Sequence, residues 1–149
     1  MNMVQRRALA ALAAGIAMLG VGIPAASAST NAAVTQVIKV ETVTTATTYP
    51  TPLSFMSTEN LVQGKRIVGH DAITCSFASQ TATTGQCTGV LWFNRAGAMF
   101  ISATASGNGV ARGRILDGTG AYQYAHGTVV HISKTSSLGW ATLTFTLAH

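Results

Sequence analysis

The chain has 149 residues, 48 % of them hydrophobic and only 9 % charged, with nine Lys and Arg against four Asp and Glu. The high isoelectric point reflects scarce acids rather than a basic stripe. Only Lys65-Arg66 and Arg112/Arg114 bring cations close together, so a nucleic-acid partner, which needs clustered cations with interleaved aromatics, is not expected.

The amino terminus reads as a cleavable secretory signal. Arg6 and Arg7 supply the positive region, 8–23 is an apolar run, Pro24 breaks it, and Ala26-Ser27-Ala28 is a small-residue cleavage site. The run is too short and too weakly hydrophobic for a membrane span, so no stable membrane association is expected. Cleavage is predicted after Ala28, with the product secreted. Gln5-Arg6-Arg7-Ala8-Leu9 is a poor twin-arginine match, which leaves the export route open. Residues 29–33 form a short disordered lead, and 34–149, about 120 residues, suffice for one domain with one core. That domain carries a net charge of +3, because Arg6 and Arg7 leave with the signal. It is rich in Thr, Ala, Gly, Val and Ser and holds no long segment of 3.6-residue period, which predicts an all-β domain.

In chain order, the first predicted strand covers 34–45, with neither face cleanly polar, as in a strand between a barrel lumen and a covering layer. A loop follows at 47–52, where Pro50 and Pro52 stop a ladder. A short strand at 53–56 and a connecting loop at 58–64 come next. The segments 66–69 and 72–78 read as one strand interrupted at His70-Asp71. The strand 86–93 turns at Asn94-Arg95-Ala96-Gly97 into 98–105, and Ser106-Gly107-Asn108-Gly109 leads into 110–116. A Gly118-Thr119-Gly120 turn, needing positive φ or close backbone approach, opens the run 122–133. A polar turn at 134–138 precedes the last strand, where Ala141, Leu143, Phe145 and Leu147 alternate with Trp140, Thr142, Thr144 and Thr146. About eight short strands with hairpin-length links predict a closed antiparallel barrel or a sandwich.

The two cysteines, Cys75 and Cys87, lie on candidate neighbouring strands joined by a polar loop. An even count in an exported chain favours a disulfide, worth roughly 3 kcal/mol through loop entropy. The rival reading is a reactive or ligand-facing thiol.

Gly118, Thr119, Gly120, Tyr122, Ala125 and Gly127 match the pattern Gly-Thr-Gly-x-aromatic-x-x-Ala-x-Gly. This stretch resembles the hallmark of the allene oxide cyclase and dirigent barrel superfamily. Upstream, Phe55, Leu61, Gly64, Lys65, Val68, Gly69 and Cys75 resemble its run of Phe, Leu, a Lys-x-x-Val-Gly-like segment and Cys, and Cys87 falls where bacterial members often carry a second cysteine. The resemblance covers most of the chain after the signal. It implies an eight-stranded antiparallel β-barrel, commonly a homotrimer, with a mostly apolar cavity.

Plant allene oxide cyclases carry a Glu, an Asn two residues on, and a Pro at the pocket mouth. Glu41 and Pro50 match in spacing, but Val43 stands in place of the Asn, and Arg112 stands in place of a Tyr before the glycine turn. The plant reaction itself is therefore not expected. Dirigent proteins surround a phenoxy-radical or quinone-methide pocket with acids, Arg and Tyr, and Arg112, Arg114, Asp117 and Tyr122 are of those types.

Glu41 is the predicted catalytic residue: a carboxylate in an apolar barrel has a raised pKa and serves as proton donor or stabiliser. The alternative is an outward Glu41 beside Lys39. Pro50, Arg112, Tyr122 and Tyr124 are the predicted substrate contacts, against outward solvation for the arginine and packing at a bend for the tyrosines. Asp117 is expected to cap the glycine turn, and His70-Asp71 to occupy a loop or bulge. No metal site is expected, because His126 and His131, five apart on a strand, face opposite ways. No cofactor is expected either, and the nucleophile motif Gly-x-Ser-x-Gly is absent. The expected activity is a barrel that binds a small apolar or aromatic molecule and steers its cyclisation or coupling, an isomerase-type role. The alternative is a non-catalytic binding or structural secreted protein.

Overall fold

The computed structural model describes residues 34–147. The predicted signal, its cleavage site and the lead at 29–33 lie outside the described residues. The eight strands are β1 (Gln36–Thr51), β2 (Ser54–Gln63), β3 (Arg66–Phe77), β4 (Thr84–Phe93), β5 (Gly97–Ser106), β6 (Val110–Gly118), β7 (Ala125–Ser133) and β8 (Leu138–Leu147). Each pairs antiparallel with the next, and β8 closes on β1. An all-β antiparallel barrel was the expectation, and closure removes every sheet edge.

Several strands run further than their composition suggests. β1 continues through the expected loop at 47–52, with register shifts at Thr44/Ala46 and Thr48/Thr51. Pro50 falls inside the second shift, where no regular ladder bond is asked of it. β2 is continuous where a loop was expected at 58–64, because its inward positions, Phe55, Ser57, Glu59 and Leu61, include two polar residues that mask the alternation. β3 runs through His70-Asp71 without interruption, paired as His70↔Trp92 and Asp71↔Leu91. The two side chains point to opposite faces: His70 bonds Asn60 outside at 2.9 Å, and Asp71 is buried. β7 starts only at Ala125, because a single 3₁₀ turn, Gly120–Tyr122, occupies the start of the expected run.

The barrel has one closed end. Leu61, Leu91, Phe93, Met99, Leu143 and Phe145 pack there, each large aliphatic or aromatic side chain contributing roughly 1.5–3 kcal/mol by burial. The 3₁₀ turn caps this end. Tyr122 meets Phe93 and Phe145 edge-on, with centroids 5.2 and 5.8 Å away. Thr119 Oγ1 accepts a hydrogen bond from the Ala98 N–H, and the Ala121 N–H bonds the Ala96 carbonyl. Gly120 has φ +61°, and a Cβ there would run into the Ala96 carbonyl. The hallmark turn therefore serves as the lid of the closed end.

At the other end Cys75 and Cys87 sit opposite each other on β3 and β4 and form a disulfide. They cluster with Ala103, Phe55, Ile73 and Phe77, and here small side chains leave the lumen open.

Candidate functional site in the barrel lumen

The lumen holds a cavity of ≈ 450 Å³ that opens at the end away from the 3₁₀ turn. Tyr49, Phe55 and Phe77 stand toward its mouth, the Cys75–Cys87 bond and Ala103 form part of its wall, and Thr42, Thr44, Glu59 and His131 give it a polar side. An eight-stranded barrel has room for one small ligand where side chains do not fill it.

Strand parity assembles the polar group. Thr42 and Thr44 point inward from β1, Thr44 lies opposite Glu59 of β2, and Glu59 lies opposite Asp71 of β3. His131 comes inward from β7 two positions after Val129. Thr42 Oγ1 and His131 Nε2 are hydrogen-bonded at 3.0 Å. Thr44 Oγ1 donates to Glu59 Oε1 at 3.2 Å. Glu59 Oε2 lies 3.9 Å from His131 Nε2 and accepts no hydrogen bond. Gly139 makes room for the pair, since a Cβ there would strike both the His131 ring and Thr42 Oγ1.

The electrostatics follow from burial. Asp71 is only 3 % exposed, and its Oδ1 also lacks a partner. Desolvation, reinforced by the charge of Glu59, pushes its carboxyl up to about 8, so it holds its proton at neutral pH. Burial lowers the His131 pKa, with the Glu59 charge opposing, so the imidazole is neutral at pH 7. Among the described residues, no group of three His, Cys, Asp or Glu side chains is arranged to hold a metal ion.

The expected site residues lie elsewhere. Glu41 sits between the inward Val40 and Thr42, so the alternation of β1 turns it outward, opposite Val62 and Trp140. Pro50 is exposed, and its neighbour Tyr49 faces the cavity mouth. Arg112 is exposed on the outer face of β6, while Ala111 lines the cavity. Tyr122 belongs to the closed end, where burial raises its pKa. Tyr124 is 55 % exposed, with φ 62°. Of the Cys75 and Cys87 readings, the disulfide is formed, and it also faces the lumen.

Glu59, Asp71, Thr42 and His131 were not among the expected site residues. The signal for them was parity: Phe55, Ser57, Glu59 and Leu61 alternate inward, as do Ala125, Gly127, Val129 and His131.

No family model matches the sequence, and no curated protein matches it. Solved structures do. A pyocyanin demethylase superposes with a TM-score of 0.65 at 15 % identity, covering 74 % of this chain and 99 % of its own. The pterocarpan synthase dirigent protein GePTS1 gives 0.61 at 12 % identity, with 78 % and 90 % covered. The related PsPTS1 gives 0.57 at 11 %, with 77 % and 97 % covered. The fold is thus a dirigent-like barrel. At these identities the likeness extends to the fold alone, and function must be argued from the site.

Proposed function

We propose that the chain is a small-molecule barrel whose lumen binds an apolar or aromatic molecule and moves a proton on it, an isomerase-type step without a cofactor. The observation that carries this reading is the facing of His131 and Glu59 across 3.9 Å at one side of a largely apolar cavity. A neutral imidazole accepts a proton from the ligand, the nearby carboxylate stabilises the imidazolium formed, and the imidazolium, its N–H exchanging with solvent at the open end of the lumen, returns a proton to a second ligand atom. Nothing is oxidised, and no group is lost. Solved barrels of this shape named as a demethylase and as pterocarpan synthases support small-molecule chemistry in the lumen. Secretion belongs to the same reading, and the Cys75–Cys87 bond supports an oxidising compartment.

One observation favours a second reading. His131 Nε2 already has a partner in Thr42, and a fully engaged imidazole suits a container better than a base. Recovery of the bound molecule after incubation in D₂O separates the two. Proton transfer predicts deuterium in a carbon-bound position of the recovered molecule, lost in His131→Ala. A container returns it unlabelled.

A further inference from the structure

We propose that the lumen selects a cationic aromatic molecule, an apolar ring system bearing one protonated amine, with the Glu59 carboxylate as its counter-charge. The inference rests on reading the lumen as a binding site and adds the charge of what enters it.

The first ground is an imbalance of charge inside the barrel. Glu59 is 9 % exposed, forms part of the cavity wall, and has one oxygen that accepts no hydrogen bond. A buried carboxylate normally has a paired cation or several donors. Here the single side-chain donor is the Thr44 hydroxyl, and it serves the other oxygen. His131 and Asp71 do not balance the charge, since burial keeps the first unprotonated and the second protonated at neutral pH.

The second ground is where the cations are. All seven Lys and Arg of the described residues are exposed, and none lines the cavity. An anionic ligand would enter a negative, low-dielectric lumen with no side-chain cation to receive it. A cationic ligand would supply the missing partner.

The third ground is the approach. Tyr49, Phe55 and Phe77 stand toward the mouth, with the Phe55 and Phe77 rings 6.1 Å apart. Aromatic faces attract cations as well as apolar rings, and ≈ 450 Å³ lies within the range of small-molecule sites.

Three probes of one shape test this: 1-naphthylmethylammonium, 1-naphthalenemethanol and 1-naphthoate, titrated calorimetrically at pH 7 into the wild type and Glu59→Gln. The proposal expects the ammonium to bind at least tenfold more tightly than the alcohol, and the naphthoate most weakly. The ammonium-to-alcohol ratio should fall toward one in Glu59→Gln. Should that variant not fold, the wild-type order is decisive alone. The outer surface is positive, so non-specific attraction would favour the naphthoate, and a preference for the ammonium must come from the lumen. Equal binding of all three, a preference for naphthoate, or a preference that survives Glu59→Gln overturns the charge selectivity and leaves the pocket reading standing. Failure of all three to bind overturns both.

Discussion

Glu59 and Asp71 stand directly opposite each other on β2 and β3, and each buries one carboxylate oxygen that accepts no hydrogen bond. Two carboxylates so placed cannot both ionise cheaply away from water. The barrel settles the conflict by leaving a proton on Asp71, the deeper of the two, while Glu59 faces the cavity.

The protonated Asp71 makes stability depend on pH. An unfolded Asp releases its proton near pH 4, and the folded one holds it to about 8. Between those values the native state binds the extra proton, so stability falls as pH rises, by at most about 1.4 kcal/mol per pH unit. His131 acts in the opposite sense: its lowered folded pKa costs stability as pH falls below about 6.5. Asp71→Asn is expected to match the wild type at about pH 3.5, below the unfolded pKa, and to exceed it by several kcal/mol at pH 8.5. Urea denaturation at the two pH values measures this, and parallel pH profiles would contradict it.

The Cys75–Cys87 bond joins directly opposed residues of β3 and β4 that are 12 positions apart in sequence. Cys75→Ala/Cys87→Ala is expected to lose about 3 kcal/mol, read as a lower denaturation midpoint. The wild type under reducing conditions should approach the same value. A midpoint unmoved by reduction would mean that the ladder alone holds these strands.

Tyr122 separates a packing role from a ligand role. Its ring contacts Phe93 and Phe145, so Tyr122→Ala is expected to cost about 3 kcal/mol. Tyr122→Phe keeps both ring contacts and is expected to change stability by less than about 1 kcal/mol, with ligand binding unaltered. Loss of binding in Tyr122→Phe would place the hydroxyl in the site after all.

Gly139→Ala tests the space behind His131. The added methyl meets the imidazole and the Thr42 hydroxyl, both side chains, so the barrel should fold with a loss of about 1–2 kcal/mol. The Thr42–His131 bond should break, visible as a shifted His131 ring resonance. An unmoved resonance would mean that the backbone of β8 gives way instead.

The barrel itself was legible in the sequence. The alternation of the last strand, the turns at 94–97 and 106–109, and the Gly118-Thr119-Gly120 pattern all correspond to observed elements. The site was not, for a physical reason. A lumen that holds polar groups breaks the apolar alternation that marks a strand, so Ser57 and Glu59 made β2 look like a loop and Asp71 made β3 look interrupted. Glu41 drew attention because it is a carboxylate on an early strand, yet its odd position beside Val40 and Thr42 turned it outward. Parity becomes readable only once the strand is known to be continuous.

The most direct test of the lumen account is the ring resonance of His131, observed by ¹³C–¹H NMR with ¹³C-labelled histidine and assigned by His131→Gln. The account predicts that His131 titrates below the ordinary histidine value. It further predicts that the resonance shifts on adding 1-naphthylmethylammonium, while those of the exposed His70 and His126 do not. A His131 that titrates at the ordinary value and does not respond to any of the three naphthalene probes would contradict it.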